Sequence, residues 1–421
     1  MSQVNLQEAL LEMGRAARAA GRRLALLSAA QKNLALEKMA EALFTRQAEI
    51  IAANAEDMTA AKANGLSTAM LDRLLLTPQR IADMAKGLRE LIALPDPVGK
   101  LDSTTVRPNG LEIRKIRVPI GVIAIIYESR PNVTVDAAGI CLKAGNATIL
   151  RGGSESIRSN MALAAAMFDG LRAAGLPAGA VQVMPWTDRE AVTHLLKMDR
   201  YVDLVIPRGG EGLIRAVVEN SRIPVIKHYK GVCHVYVDRA ADFKMALEII
   251  ENAKCQRPGV CNAAEKVLLH QDIAAEFAPQ LAAMFRRRQV EMRGDAAFCK
   301  LVSDAQPAKV ADWDAEYMDL IITIAVVDSL GAAVAHITEH GSAHSDAIVT
   351  ADPAAARAFT EQVDSATVYV NASTRFTDGG QFGMGAEIGI STDRIHARGP
   401  MGLEELTTYK YLIHGTGQVR E

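Results

Sequence analysis

The feature that most constrains this chain is the alternation of short, fully apolar runs with alanine-rich segments of helical periodicity. Because the strands of parallel sheets are covered by helices on both faces, such runs predict an α/β fold with parallel sheets. The runs form two successive series, and we therefore expect two α/β domains in succession. The first series occupies residues 121–126, 147–150, 181–184, 201–206 and 225–226, and the second occupies 232–237, 266–269, 320–327, 345–349 and 366–370.

Helices are predicted ahead of the first strand. Residues 2–60 and 67–94 carry apolar side chains at helical spacing and no pattern that demands chemistry. Asn64-Gly65 is typical of a helix end, and Thr77-Pro78 is typical of a helix start, with proline in the first turn. These segments are predicted to be scaffold.

Composition excludes several classes of function. The formal net charge is −2, which gives no electrostatic basis for binding nucleic acid. Five cysteines at irregular spacings argue against a disulfide framework and fit no structural zinc site. The N-terminus lacks the apolar core of a signal peptide, and no apolar run approaches the ~20 residues needed to cross a bilayer. We expect a soluble cytoplasmic protein without a bound metal.

Two glycine turns follow predicted strands and open onto predicted helices. One is Arg151-Gly152-Gly153-Ser154-Glu155, and the other is Arg208-Gly209-Gly210-Glu211-Gly212. Nucleotides bind at such turns in parallel sheets, and an arginine suits a phosphate. A tight turn without a ligand is the alternative for either one, and the G-x-G-x-x-G dinucleotide fingerprint does not occur.

Cys261 is the candidate nucleophile. It follows the Pro258-Gly259-Val260 turn and precedes an apolar run, with Arg257 and Lys254 upstream. Positive charge and backbone N–H groups favour the reactive thiolate, whereas a buried structural cysteine is the alternative. The residues alone therefore indicate an α/β enzyme with a candidate thiol nucleophile and glycine-lined anion sites.

Four longer motifs resemble the aldehyde dehydrogenase superfamily. They are IIYESRPNVTVDAAGICLKAGNATILRGGSES (125–156), KCQRPGVCNAAE (254–265), VAHITEHGSAHSDAI (334–348) and NASTRFTDGGQFGMGAEIGISTDRIHARGPMGLEELTTYKY (371–411). The resemblance covers essentially the whole chain and implies an aldehyde dehydrogenase-like fold. It implies a dinucleotide-binding domain (1–102, 117–228 and 353–371), a catalytic domain (229–352) and β oligomerisation segments (103–116 and 372–421).

The resemblance also implies the reaction. It points to NADPH-dependent reduction of L-glutamyl 5-phosphate to L-glutamate 5-semialdehyde and phosphate through a thioester on Cys261, the second step of proline biosynthesis from glutamate. Asn132 would help to bind the oxyanion. Cys255 is the competing nucleophile, although the motif match favours Cys261. The stretch 226–232, where hydrolytic relatives carry a glutamate base, holds no carboxylate, which suits an acyl phosphate reductase.

The resemblance implies further ligand contacts and partners. Arg151 would suit the 2′-phosphate of NADP, whereas Glu155 would suit the free 2′-hydroxyl of NAD. Candidate cofactor residues are Arg151, Gly152, Gly153, Ser154, Gly209, Gly210 and Glu387, and candidate substrate residues are Arg130, Arg257, His340 and His344. At least a dimer is implied, and the glutamate 5-kinase that supplies the substrate is a further candidate partner.

Three alternatives remain open at this point. A CoA-acylating aldehyde dehydrogenase would share the thioester and also lack the hydrolytic base. A cysteine hydrolase would pair Cys261 with a histidine, but it leaves the two glycine turns without a role. A non-catalytic member of the fold would bind nucleotide while Cys261 reacted as an ordinary thiol.

Overall fold

The computed structural model describes residues 3–420, which divide into two compact units. The first unit comprises the chain up to Lys227, Gly383–Gly389 and the segment from Met401 onward, and the second comprises His228–Phe382 and Ile390–Pro400. The α-helices of the described residues are α1 (Gln3–Leu24), α2 (Ala29–Thr45), α3 (Gln47–Ala63), α4 (Thr68–Leu74), α5 (Pro78–Ala93), α6 (Asn132–Lys143), α7 (Ile157–Ala173), α8 (Arg189–Leu195), α9 (Glu211–Asn220), α10 (Phe243–Cys255), α11 (Gln271–Arg287), α12 (Ala296–Leu301), α13 (Val310–Trp313), α14 (Leu330–His340) and α15 (Pro353–Gln362).

The strands of the described residues are distributed over four sheets. They are β1 (Leu101–Val106), β2 (Glu112–Pro119), β3 (Val122–Tyr127), β4 (Ala147–Arg151), β5 (Val181–Val183), β6 (Leu204–Arg208), β7 (Cys233–Val237), β8 (Ala264–His270), β9 (Glu291–Gly294), β10 (Gln306–Pro307), β11 (Ile321–Val327), β12 (Ser345–Val349), β13 (Thr367–Val370), β14 (Ile390–Ser391), β15 (Gly399–Pro400) and β16 (Thr407–His414).

The predicted helix boundaries near the N-terminus are confirmed. Helix α3 ends at Ala63, and Gly65 follows with a left-handed φ of 73°. The Thr77 side chain caps α5 by accepting a hydrogen bond from the Arg80 N–H at 3.2 Å. Pro78 occupies the first turn, where its missing N–H costs nothing.

The first unit is built on a four-stranded parallel sheet of order β5-β4-β3-β6. Every residue of β3 is buried, as its continuous apolar run predicts. Helices α6 and α7 follow β3 and β4, so the carboxyl ends of these strands open onto helix starts. The predicted strand at 225–226 is wrong, because Val225 makes only an isolated parallel bridge to Val205.

A second, antiparallel sheet of the first unit has the order β1-β2-β16. Strand β1 is exposed along its whole length, and Tyr409, Tyr411 and Ile413 of β16 are also exposed. These strands occupy the positions expected for oligomerisation segments. That role stays a prediction.

The second unit is built on a seven-stranded parallel sheet of order β10-β9-β11-β8-β7-β12-β13. One face of the sheet packs on a cluster that includes Phe277, Phe285 and Phe298, and the other face packs on a cluster with Tyr236 and Phe359. Strand β9 escaped prediction because its sequence, Glu-Met-Arg-Gly, is short and half charged.

Two parts of the expected domain division differ from the structure. Residues 353–371, expected in the dinucleotide-binding domain, lie in the second unit, because β13 pairs in parallel with β12. Residues 372–382 and 390–400, expected in an oligomerisation segment, also lie in the second unit. There, the Thr374 hydroxyl donates to the Asn262 carbonyl at 2.7 Å. The segment therefore packs beside the candidate nucleophile.

Candidate active site

The loop between α10 and β8 carries Cys261, which is half-buried. The ends of this loop are joined by a buried ion pair in which the Lys254 Nζ lies 2.9 Å from the Glu265 Oε2. Burial raises the pKa of Glu265 and lowers the pKa of Lys266, its neighbour in β8, to about 8. Lys254, Glu265 and Lys266 form a buried charged cluster, which fixes the two ends of the loop.

The carbonyl of Cys261 is enclosed by the start of β7 and the residues before it. The Cys233 Sγ donates to this carbonyl at 3.2 Å. A Cβ on Gly231 would lie 2.5 Å from both the Cys261 Cα and its carbonyl carbon, so only glycine fits there. The backbone of Cys261 is thus closely packed. The sequence did not reveal the roles of Gly231 and Cys233, because both depend on a strand pairing between distant segments.

Cys255 lies in a different environment. It is the last residue of α10 and packs against the core cluster beneath the sheet. Burial, followed by the Glu251 carboxylate, raises the pKa of the Cys255 thiol. A thiol with a raised pKa forms less thiolate at neutral pH and is a weaker nucleophile. The raised pKa argues against Cys255 as the nucleophile, and the role of Cys261 stays a prediction.

A carboxylate from a distant part of the chain lies close to residues 226–232. Residues 226–232 hold no acid of their own, but the Gly231 N–H donates to the Glu316 Oε1 at 2.9 Å. The segment that carries Glu316 is itself held by the buried cluster. The Lys266 Nζ donates to the Ala315 carbonyl at 2.8 Å, and the Met318 N–H donates to the Glu265 Oε1 at 3.3 Å.

Two arginines of the second unit accompany Cys261. Arg257 is exposed within the loop. Arg375, which the sequence did not single out, donates from Nε to the Gln256 Oε1 at 2.9 Å and from Nη1 to the Asn262 Oδ1. Burial lowers the pKa of Arg375 most, and the like charge of Arg257 lowers it further. The loop of the candidate nucleophile therefore carries one arginine and is hydrogen-bonded to a second.

In the first unit, Arg151 ends β4 at the first glycine turn. Its Nη2 donates to the Thr187 carbonyl at 2.9 Å, while its buried Nε has no partner among the described residues. Burial lowers the pKa of Arg151 most and Arg189 at the start of α8 lowers it further, whereas the Glu155 carboxylate acts in the opposite direction. Glu155, the residue that left NAD open, accepts hydrogen bonds from the backbone N–H and hydroxyl of Ser129. The preference for NADP stays a prediction.

The second glycine turn fits a pyrophosphate less well. Gly210 is the N-cap residue of α9, and its N–H already donates to the Glu128 Oε2 at 2.9 Å. A Cβ on Gly209 would lie 2.6 Å from the Glu128 carboxyl carbon. The close approach of Glu128 therefore explains a glycine at this position without any ligand. Because Glu128 occupies the Gly210 N–H, an anion can bind this N–H only if Glu128 moves.

The structure places the remaining candidate residues as follows. Asn132 begins α6 and donates from Nδ2 to the Asp136 Oδ2 at 2.8 Å, one turn along the helix. Arg130 is exposed just before that helix, and Glu387 is half-buried in the Gly383–Gly389 segment of the first unit. The roles expected for Arg130 and Glu387 stay predictions.

The two histidine candidates are engaged inside the second unit. The His344 ring is completely buried, with Nδ1 2.8 Å from the Ser345 hydroxyl, and burial lowers its pKa to about 3. His340 lies 2.8 Å from the Asp314 carboxylate and packs beside His336 and Trp313. His344 is therefore shielded from a substrate that arrives from solvent, contrary to the expectation.

Residues 3–420 contain no cluster of three or more His, Cys, Asp or Glu side chains that could hold a metal ion. No helix within the same residues is long and apolar enough to span a membrane.

The comparisons with known proteins identify the family. The sequence model of the aldehyde dehydrogenase family matches residues 6–320. The chain belongs to this family. Its resemblance to the superfamily and its predicted fold class are thereby confirmed, and a nicotinamide cofactor is implied.

Relatives within the aldehyde dehydrogenase family show which kind of enzyme this chain is similar to. The chain is 58% identical to γ-glutamyl phosphate reductase of Moorella thermoacetica, over 97% of this chain and 98% of that one. It is 55% identical to the same enzyme of Heliobacterium modesticaldum, over 97% and 98% of the two chains. The crystal structure of γ-glutamyl phosphate reductase from Thermotoga maritima superposes with a TM-score of 0.97 at 47% identity, covering 98% of this chain and 100% of that one.

More distant structures share the fold alone. An acetylating aldehyde dehydrogenase from Geobacillus thermoglucosidasius is 17% identical, with a TM-score of 0.71 over 99% of both chains. Because the relatives of high identity are γ-glutamyl phosphate reductases, the alternative of a CoA-acylating enzyme is not favoured.

Proposed function

We propose that this chain reduces L-glutamyl 5-phosphate to L-glutamate 5-semialdehyde and phosphate with NADPH, the second step of proline biosynthesis from glutamate. The observation that carries the proposal is the sequence identity of 58% and 47% that this chain shares, over nearly its full length, with two γ-glutamyl phosphate reductases. The loop of Cys261 supplies a nucleophile suited to this reaction, since it is half-buried and accompanied by two arginines.

Cys261 performs the covalent steps. Its thiolate attacks the carbonyl carbon of the acyl phosphate, the S–C bond forms, and the C–O bond breaks so that phosphate leaves with the electron pair. NADPH, when bound, supplies the hydride that reduces the thioester. The resulting thiohemiacetal releases the aldehyde and returns the electron pair to sulfur, which regenerates the thiolate.

Asn132 is proposed to donate its side-chain amide to the oxyanion that forms during the attack. This role comes from the resemblance to the superfamily. The bond from its Nδ2 to Asp136 supports it, because it orients the amide and leaves the second N–H of the same nitrogen available. Donors that are oriented before the reaction stabilise a developing charge most effectively.

Arg151 is proposed to hold the 2′-phosphate of NADP, with Arg189 as the second positive charge. Among residues 3–420, no carboxylate lies within salt-bridge distance of the Arg151 guanidinium, which leaves its charge available to a phosphate. Gly152, Gly153 and Ser154 would line the same turn. For Gly209 and Gly210 to hold the pyrophosphate, Glu128 has to withdraw.

Phosphate dependence tests the proposed function. In the reverse direction, oxidation of glutamate semialdehyde with NADP should require inorganic phosphate to release the thioester, and CoA should not replace it. Arsenate should replace phosphate, since acyl arsenates hydrolyse unaided. If CoA supported turnover in phosphate-free buffer, the enzyme would be CoA-acylating. If NADPH and free glutamate formed steadily without either acceptor, the enzyme would be hydrolytic, and Glu316 would be the first base to examine.

Three further expectations stay predictions. The exposed β1-β2-β16 sheet is proposed to join at least two copies of the chain. The glutamate 5-kinase that supplies the substrate is a candidate partner, and the cytoplasm is the expected location.

A further inference from the structure

Arg375 and Arg257 are two positive charges without an acidic partner. Arg375 is half-buried in the 3-10 turn Thr374–Phe376, and Arg257 is exposed in the loop that carries the nucleophile. Within residues 3–420, no carboxylate lies within salt-bridge distance of either guanidinium. A half-buried arginine without a carboxylate partner is costly, because burial removes part of its hydration.

The guanidinium of Arg375 is fixed by both ends of the nucleophile loop. It donates to the side chain of Gln256 before Arg257 and to the side chain of Asn262 after Cys261. Asn262 is itself held, since its Nδ2 donates to the Thr377 carbonyl at 2.8 Å. Two of the five N–H groups are used in these bonds, so three remain to donate to a ligand.

The surrounding charges favour an anion between the two arginines. Burial lowers the pKa of Arg375 most, and the like charge of Arg257 lowers it further, whereas Asp378 and Cys261 act in the opposite direction. The Asp378 carboxylate is already occupied, because its Oδ1 accepts from the Gly380 and Gln381 N–H groups at 2.9 and 3.1 Å. Two neighbouring guanidiniums repel each other, and an anion bound by both removes that repulsion.

We propose that Arg375, together with Arg257, binds the phosphate group of the acyl phosphate while Cys261 attacks. This inference rests on the proposed function and assigns its leaving-group site. In the reverse direction, the same pair binds the inorganic phosphate that attacks the thioester carbonyl. Arg375 is suited to this role because a guanidinium presents paired N–H donors in the geometry of phosphate oxygens.

The α-carboxylate of the substrate is the competing anion. It lies at the far end of the glutamyl chain, whereas the phosphate is bonded through one oxygen to the carbon that Cys261 attacks. Because Arg375 is anchored at both ends of the Cys261 loop and interacts electrostatically with Cys261, we assign it to the phosphate. Two positive charges also match a phosphate dianion better than a monovalent carboxylate.

Steady-state kinetics in the reverse direction separate these assignments. Arg375→Gln should raise the KM for phosphate by about 10- to 100-fold, the usual effect of losing a charge-assisted hydrogen bond. The KM for glutamate semialdehyde should change by less than about threefold. Arg287→Gln, which removes an exposed charge in the same unit, is the matched control and should change neither constant.

A higher KM for the aldehyde with an unchanged KM for phosphate would assign Arg375 to the α-carboxylate and overturn the proposal. A lower kcat with both KM values unchanged would make Arg375 a structural support of the loop, which also overturns it. A wild-type enzyme that required no phosphate would refute the proposed function itself. The failure of the proposed function and the failure of the Arg375 assignment are therefore distinguishable.

A second measurement needs no turnover. Inorganic phosphate should protect Cys261 of the wild-type enzyme from alkylation by iodoacetamide, as measured by peptide mass spectrometry. Arg257→Gln changes an exposed side chain and should leave the fold intact. It should raise the phosphate concentration that gives half-maximal protection by roughly tenfold, since one charge-assisted contact is lost. Equal protection in the wild type, Arg257→Gln and Arg375→Gln would overturn the proposal.

Discussion

Gly231→Ala should disable the enzyme by displacing the backbone of its nucleophile. The added methyl carbon would lie 2.5 Å from the Cys261 Cα and carbonyl carbon, whereas real Cβ contacts essentially never fall below 3.0 Å. These are backbone atoms, so no side chain can rotate out of the way. The Cys261 peptide is also held by Cys233, and the Gly231 N–H is tied to Glu316. Relief therefore requires a backbone shift on the order of 1 Å.

The expected magnitudes follow from that shift. Misplacing a reacting group by about 1 Å costs on the order of 100-fold in rate. Overpacking of a closely packed site costs about 1–3 kcal/mol in the free energy of unfolding. We expect kcat for Gly231→Ala to fall by about two orders of magnitude, with a moderate loss of stability measured by urea denaturation.

Gly259→Ala is the matched control, because it lies in the Cys261 loop but has no neighbour closer than 3.7 Å to the added Cβ. It should leave the free energy of unfolding within about 0.5 kcal/mol of the wild type. If Gly231→Ala kept more than half of the wild-type kcat with unchanged stability, the close packing of the Cys261 carbonyl would have no functional importance, and this reasoning would be refuted.

Four further predictions concern the other candidate residues. Cys261→Ala should abolish turnover and leave NADPH binding, measured by fluorescence titration, intact, whereas Cys255→Ala should keep most activity; the opposite pattern would reassign the nucleophile. Asn132→Ala should lower kcat by about two to three orders of magnitude, with little change in NADPH affinity. Arg151→Glu should weaken binding of NADPH far more than that of NADH, and an equal loss for both would place the 2′-phosphate elsewhere. His344 has its pKa lowered to about 3 in the folded chain, from 6.5, so the unfolded chain gains its proton first as the pH falls. Stability should therefore decline below about pH 6.5, and His344→Gln should recover about 2–3 kcal/mol of that loss near pH 4.5 in denaturant titrations.

Apolar periodicity predicted most of the fold. The continuous apolar run that became β3 is buried along its whole length, as is typical of a strand in a sheet covered on both faces. Strands β7 and β12 are also fully buried, and the His234 and Asp346 side chains that interrupt them pair with each other. The short and partly charged β9 carries no such signal. The two glycine turns were also placed correctly at strand ends, but side chains, rather than periodicity, decide what each turn can bind. Glu128 at the second turn illustrates this, since only the folded structure brings it to Gly210.

Most of the surroundings of Cys261 could not be predicted from the sequence. Arg375 and Asn262 are 113 residues apart along the chain, and Gly231 and Glu316 are 85 residues apart. No local pattern couples positions so distant, because their contact depends on the pairing of strands and on the path of the loops between them. Motif resemblance singled out Cys261 as the candidate nucleophile, since its turn is local. Its electrostatic environment emerged only from the fold.

Direct detection of the thioester tests the central claim, that Cys261 carries the acyl group between hydride transfer and phosphate. The intact enzyme would be incubated with glutamate semialdehyde and NADP in phosphate-free buffer, quenched in acid and analysed by peptide mass spectrometry. We predict a glutamyl adduct on the peptide that contains Cys261, formed together with one equivalent of NADPH and removed when phosphate is added. Steady release of free glutamate without phosphate, or an adduct on any residue other than Cys261, would contradict the account.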